Sequence, residues 1–312
     1  MELRVVFLGT SGSMPTPERN LPSIAVRRGR ELLLFDVGEG TQRQLLRAGM
    51  GFKERTYIFL THLHLDHISG LPGIIHTLTL LQRKTPLTIF GPAGTVEYVR
   101  SILRRVGNTP FKVVVQEVSD GVVFRGQGYT VYAAWADHSC PCLAYALVED
   151  ERPGRFYPER ARALGVPEGP LWKRLQSGSP VVLTTGKVVK PEDVCGPKRP
   201  GRKVVYSGDT RPCESVVRLA EGADVLIHDS MFGEDMAERA VEDGHSTASQ
   251  AAEVARRAGV LRLYLTHISP RYRNPKPLLE EAVKVFPFTT LAEDLMTVDV
   301  KFRETPVGGV YT

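Results

Sequence analysis

Cysteine is scarce in this chain: Cys140, Cys142, Cys195 and Cys213 are four among 312 residues. Their spacing gives no disulfide framework. Cys140 and Cys142 form C-x-C, but no second pair completes a structural zinc site, so packing is their expected role. Long apolar runs are also missing. The longest are strand-sized, such as Leu32 to Phe35, far below the ~18 residues that cross a bilayer. The opening MELRVVFLGT lacks the basic and apolar segments of a secretory leader. These absences lead to the expectation of a cytoplasmic protein with no membrane association. Neither low-complexity tracts nor internal repeats are present. Hydrophobic residues make up 42% and charged residues 24%, the balance of an ordinary globular protein rather than a disordered chain.

Positive charge is in excess, and it is concentrated. Forty Lys/Arg face 35 Asp/Glu overall, yet residues 152–203 hold 12 basic and only 4 acidic residues. Everything outside that segment is slightly acidic. The segment also carries eight of the 22 prolines and seven of the 29 glycines, too many for a packed layer of a main core. Leu164, Val166, Leu171, Trp172 and Leu175 are nevertheless enough for a small satellite fold. The expectation is one domain formed by residues 1–151 and 204–312, interrupted by a basic arm over 152–203. Clustered Lys/Arg of this kind attract phosphate backbones; a solvated surface loop is the alternative.

Around the arm, strands and helices alternate. Val-, Ile-, Leu- and aromatic-rich runs predict strands at 3–8, 23–27, 31–36, 57–61, 87–91, 112–118, 129–134, 143–148, 204–207, 224–228 and 262–266. Helical patterns cover 40–48, 71–82, 95–106, 248–258 and 278–286, with Ser246 or Thr247 available to cap the fourth. Strands arriving in pairs and triplets between helices argue for two sheets with helices outside rather than one doubly wound sheet.

The chemistry is concentrated in T-H-L-H-L-D-H, Thr61 to His67. Three of the chain's eight histidines lie here with an aspartate, directly after a strand. In an extended stretch, alternation puts His62, His64 and Asp66 on one side, and a following turn brings His67 beside Asp66. Neutral imidazoles with carboxylates suit zinc and similar transition metals. Further donors stand just past other strands: His138, Asp209 and His267. An isolated His or Asp at a strand end is usually structural. Together with the cluster, these three complete two four-coordinate sites if one carboxylate, Asp209, bridges.

This pattern, H-x-H-x-D-H followed by widely spaced His, Asp and His, resembles that of the metallo-β-lactamase superfamily. Membership implies an α/β fold, the four-layer αββα sandwich, with a dinuclear zinc site. Narrower features resemble ribonuclease Z, the endoribonuclease family that trims the 3′ trailer of precursor tRNA. They are the opening FLGTSGSMPTPERN (Phe7–Asn20), FDVGEGTQRQL (Phe35–Leu45), GHST (Gly244–Thr247), THISPRY (Thr266–Tyr272) and the VPEGP of the arm (Val166–Pro170). The chain departs from that pattern at Val37, where Cys is usual, at Ala144, where Gly is common, and in HDSMF, where Asp229 stands for a glutamate.

The resemblance implies two Zn2+ per subunit, one held by His62, His64 and His138, the other by Asp66, His67 and His267, with Asp209 bridging. Mn2+ or Co2+ would also suit this donor set. It further implies that Asp66 orients or deprotonates the attacking water, that His245 protonates the leaving oxygen, and that Asp229 orients His245. The partners implied are precursor tRNA, gripped by the arm, and a second subunit in a homodimer. The competing readings are a small-molecule phosphodiesterase of the same superfamily and a non-catalytic RNA-binding relative, which would have lost ligands. Blander roles are expected elsewhere. His76 belongs on a helix surface or in the core, and His228 behind the metal ligands or in a structural place. Residues Gly9–Gly12 form a turn able to approach a phosphate. Arg271 and Tyr272 are either tRNA contacts or ordinary surface residues.

Overall fold

The computed structural model describes residues 1–52 and 55–303. They divide into two compact units, one of residues 1–148 with 203–301, the other of residues 149–202 with 302–303.

The larger unit contains two seven-stranded sheets. In the first, Thr297–Asp299, Leu3–Gly9, Ser23–Arg28 and Glu31–Phe35 run antiparallel in succession, and Arg55–Phe59, Leu87–Gly91 and Val113–Glu117 then continue parallel to Glu31–Phe35. In the second, Thr289–Leu291, Leu263–Thr266, Val225–Asp229 and Lys203–Tyr206 are parallel, and Cys142–Glu149, Tyr129–Ala136 and Gly121–Gly126 complete the order.

Glu31–Phe35 shows why so many strands read as unbroken apolar runs. Leu33 and Phe35 enter the core between the sheets, while Leu32 and Leu34 enter the outer core under the helices. A strand covered on both faces has no polar side to alternate. The inter-sheet core is aromatic, with the Phe59 ring stacked on Phe90 at 4.9 Å and on Phe35 at 5.2 Å between centroids. Helices Leu71–Leu80 and Thr95–Val106 cover the first sheet through Ile74, Ile75, Leu78 and Val99. Helices Glu214–Ala220, Ala248–Ala258 and Lys276–Val285 cover the second through Val216, Ala251, Ala255 and Leu278. The layers are therefore helix, sheet, sheet, helix.

Several elements were not expected from the sequence. Gly121–Gly126, Thr289–Leu291 and Thr297–Asp299 are short edge strands, mostly half-buried or exposed, so no continuous apolar pattern marks them. Glu214–Ala220 and Ala237–Asp243 are seven-residue helices, too short for a clear period. Of the two candidate caps, Thr247 is the one used: its hydroxyl accepts from Gln250 N–H while the Gln250 side chain accepts from Thr247 N–H, a capping box.

The smaller unit has its own core of Ala161, Val166, Leu175, Val181, Val189 and Val194, with Phe156, Leu164, Leu171 and Trp172 packed against it. Its three helices, Pro158–Ala163, Pro170–Gln176 and Pro191–Val194, each begin on proline. At that position the missing N–H is no loss and the fixed φ favours the first turn. The prolines that argue against a layer of the main core thus start helices in a small separate one. The buried Arg202 makes a two-pronged pair with Glu149 at 2.7 and 2.9 Å, and Arg152 and Arg202 both lie over the Phe302 ring. Among the described residues, no helix is long and apolar enough to cross a membrane.

Candidate metal centre

Five of the seven expected donors stand just beyond the carboxyl end of a strand, where α/β folds assemble their sites. His62 and His64 follow Arg55–Phe59, His138 follows Tyr129–Ala136, Asp209 follows Lys203–Tyr206, and His267 follows Leu263–Thr266. One local expectation is corrected. The chain is extended only as far as His64, and Leu65–Ile68 is a helical turn. Asp66 therefore does not continue the alternation of His62 and His64. The turn instead carries both Asp66 and His67, with Asp66 Oδ2 3.5 Å from His67 Nε2.

Two four-donor groups result, and a third group, of His138, Asp209 and His245, overlaps both. His62, His64, His138 and Cys140 form one, and Asp66, His67, Asp209 and His267 the other, with the ligand atoms of each group all within 4.8 Å of one another. Asp209 Oδ2 lies 3.2 Å from Nε2 of His67, 3.2 Å from Nε2 of His267 and 3.7 Å from Nε2 of His62, so this carboxylate reaches toward both. His138 Nε2 is 3.3 Å from His64 Nδ1. His62, His67, Asp209 and His267 are buried, whereas His64 is exposed and Asp66 and His138 are half-buried. The centre thus opens to solvent on the side of those three.

The residues fit a divalent cation. Nε2 of His62, His67 and His267 and Oδ1 of Asp209 are buried without any hydrogen-bond partner, a costly arrangement unless something else satisfies them. Burial pushes His62 and His267 toward the neutral form that ligates metal. Burial also opposes a charge on His67, but the Asp209 and Asp36 carboxylates outweigh it and hold its pKa well above the ordinary value. Asp209 is likewise held well below its usual range, because His267 and His67 outweigh its burial. A cation at Nε2 would take over the compensating charge that a second proton on His67 otherwise provides.

Behind the donors lies a residue that the sequence reading did not single out. Asp36 follows Glu31–Phe35 and binds His67 Nδ1 at 2.7 Å, the Thr61 amide and hydroxyl, and the Tyr206 hydroxyl. It fixes the His67 tautomer so that Nε2 faces the centre. Its place at a strand end, inside the F-D-V-G-E-G-T-Q segment, was the available signal. Thr61 Oγ1 lies 2.9 Å from His62 Nδ1, and the Gly244 carbonyl accepts from His138 Nδ1 at 2.7 Å. Gly244 has φ 85°, and a Cβ there would come within 2.8 Å of that nitrogen.

His245 sits against this group. Its ring lies 5.0 Å from that of His138 and 5.2 Å from that of His267, and its Nδ1 donates to Asp229 Oδ2 at 2.8 Å. Asp229 is itself fixed by the amides of Thr210 and Met231. Burial opposes the imidazolium, but Asp229 outweighs it and raises His245 to about 9.

The remaining candidates separate. Residues Gly9–Gly12 lead directly to the centre: Gly12 lies against the His267 ring, and the Ser13 amide donates to Asp66 Oδ2 at 3.1 Å. His76 is on an exposed helix face, and His228 is buried with Nδ1 2.7 Å from the Asp229 carbonyl. Tyr272 is held by Gly233 N–H and Asp235, while Arg271 is exposed. Cys142 is buried packing beside His62, but the half-buried Cys140 joins the three-histidine group, contrary to the packing role expected for both.

Comparison with known proteins agrees with this geometry. Residues 176–268 match the family model described as "Beta-lactamase superfamily domain", and residues 3–106 match that described as "Anti-Pycsar protein Apyc1". A protein of Methanosarcina acetivorans named Ribonuclease Z is 49% identical over 304 residues, spanning 96% of this chain and 99% of its own. One of Myxococcus xanthus with the same name is 47% identical, spanning 97% and 99%. The crystal structure of the short form of human tRNase Z superposes with a TM-score of 0.70 at 27% identity, covering 96% of this chain and all of that one. A diphosphatase of the PhnP family superposes at 0.64 with 17% identity, which speaks for the fold alone.

Fold and site together define a hydrolase of the metallo-β-lactamase superfamily, equipped to hold divalent metal. Within that superfamily the chain belongs to the ribonuclease Z family of endoribonucleases.

Asp36→Asn keeps the shape of the side chain but removes the charge behind His67. It should weaken metal binding roughly 10–100-fold, read by competition with a chromophoric chelator. An unchanged affinity would show that Asp36 does not support the centre.

Proposed function

We propose that this chain is a zinc-dependent endoribonuclease that removes the 3′ trailer of precursor tRNA, leaving a 3′-hydroxyl on the tRNA and a 5′-phosphate on the trailer. The observation that carries this reading is the His245–Asp229 pair set beside the donor cluster in a chain of the ribonuclease Z family. Two ions would be held, one by His62, His64 and His138, the other by Asp66, His67 and His267, with Asp209 between them. Zinc suits these donors, and manganese or cobalt could replace it. When bound, the ions supply Lewis acidity and lower the pKa of a coordinated water.

The chain's own residues handle the protons. Asp66, its Oδ2 fixed by the Ser13 amide, takes a proton from the water that attacks phosphorus. As the new P–O bond forms, the bond from phosphorus to the tRNA 3′-oxygen breaks. The departing alkoxide is a strong base and needs a proton in the transition state, which His245 provides from Nε2. Asp229 holds the Nδ1 proton and keeps the imidazolium available near neutral pH.

The smaller unit supports a tRNA substrate. It contains none of the seven donors, and Arg152, Arg155, Lys173 and Arg199 line one cleft of about 610 Å3 whose lining includes no acidic residue. The acceptor and T arms of tRNA form an A-type helix, which proteins read chiefly through shape and phosphate position. The family resemblance supports a homodimer in which the arm of one subunit grips tRNA whose 3′ end enters the other. A tRNA substrate supports a cytoplasmic location.

Purified protein should cut precursor tRNA after the discriminator base, with the products sized on a denaturing gel; no cut there would remove the proposed activity. His245→Ala should lower turnover by roughly 10²–10⁴ with metal content intact. The defect should shrink on an aryl phosphodiester, whose phenolate leaves without a proton. Equal losses on both substrates would make His245 positional. Shortening the arm should abolish precursor cleavage and spare the aryl phosphodiester, with the intact enzyme's tRNA affinity falling steeply as salt rises. Full precursor cleavage by the shortened protein would make the arm a bystander.

A further inference from the structure

Cys140 is not part of the seven-donor set, yet the fold brings it there. The loop between His138 and the strand Cys142–Glu149 is pinned at both ends. His138 Nδ1 donates to the Gly244 carbonyl at 2.7 Å, and Leu143 N–H donates to the Thr61 carbonyl at 2.9 Å. The second bond lays this loop alongside the Thr61–His64 stretch. Cys140 consequently shares a compact group with His62, His64 and His138, every ligand atom within 4.8 Å of the others.

A second observation points to a ligand in the same place. His62 is fully buried, and its Nε2 has no hydrogen-bond partner, because Thr61 faces the other ring nitrogen. Cys140 is only half-buried, so space filling alone does not account for it. Its neighbour two residues on, Cys142, does the packing: it is buried, with Sγ 3.7 Å from His62 Nδ1.

We infer that the Cys140 thiolate is a further protein ligand, in addition to the bridging Asp209, of the ion held by His62, His64 and His138. The inference rests on the metal-centre reading given above. On binding, the thiol gives its proton to solvent and the sulfur lone pair is donated to the ion; no electron is transferred. The consequence is selectivity. A thiolate added to three imidazoles favours zinc, cobalt or cadmium over manganese, which prefers oxygen donors. The two positions of the centre, which share Asp209, then differ in character: a thiolate softens the one with His62, His64 and His138, and the Asp66 carboxylate hardens the other.

The test uses the full-length protein stripped of metal and reloaded with Co2+. Cobalt bound by sulfur gives an intense thiolate-to-metal absorption in the near ultraviolet, while cobalt bound only by nitrogen and oxygen gives weak visible bands. The wild type should show both. Cys140→Ser should bind cobalt through the three histidines, keep the visible bands and lose the sulfur band; Cys142→Ser should keep all of them. Iodoacetamide labelling of the wild type, located by peptide mass, provides a reading that needs no variant: cobalt should shield Cys140 and leave Cys213 unchanged. A wild type that binds cobalt without the sulfur band, a band that survives Cys140→Ser, or equal labelling of Cys140 with and without cobalt overturns the inference alone. Failure to bind cobalt at all overturns the metal-centre reading as well.

Discussion

Asp209 is the constraint on which the rest of the site depends. A buried carboxylate facing the Nε2 atoms of three buried histidines, at 3.2 to 3.7 Å, is unfavourable by itself. The imidazole nitrogens and one carboxylate oxygen are withdrawn from water and left without hydrogen bonds. Such an arrangement persists when a cation completes it. The protein supplies converging lone pairs, and their common partner is the missing charge. Because His62 belongs to one donor group and His67 and His267 to the other, the reach of this one side chain joins them.

Holding that arrangement takes backbone strain and a layer of support. Ser13, Asp36 and His267 all adopt positive φ near 60°, a conformation costly for residues other than glycine and concentrated at functional sites. Each serves the centre. Ser13 presents its amide to Asp66, Asp36 anchors His67, and His267 turns its ring toward Asp209 just after the last residue of its strand. The aromatic core between the sheets gives these turns a rigid floor. Tyr206 and Tyr145 pass from that core to the site, donating to Asp36 and to the Leu60 carbonyl. Tertiary packing offsets the local strain at these turns.

The donor cluster and the concentrated positive charge occupy different parts of the chain. The larger unit holds the donors and the His245–Asp229 pair, while the smaller holds the concentrated positive charge on its own apolar core. An insertion with its own core can carry a binding surface without disturbing the strand ends that carry the site. Concentrating charge in the insertion also leaves the larger unit close to neutral.

The metal-binding cluster was legible in the sequence because one short segment supplies several of its donors, and such a density of histidine and aspartate has no ordinary structural use. The apolar strands were legible for a similar reason: a strand buried on both faces leaves a run such as Glu31–Phe35 with little else to be. Asp36 was less visible because a single aspartate at a strand end has many structural uses. Only the folded chain shows it beneath His67. The helical turn at Leu65–Ile68 escaped the alternation rule, since four residues are too few to display a period. The edge strands were decided by their neighbours rather than by their own composition. Cys140 and Cys142 are indistinguishable as a C-x-C pair, and tertiary structure separates them: Leu143, tied to Thr61, buries one sulfur beside His62 and leaves the other among three imidazoles. Sequence by itself determined which donor atoms the chain possesses and where strands would end near them. The distances among those atoms were decided by the packing of two sheets, because donors more than 200 residues apart meet only when the strands that carry them lie side by side.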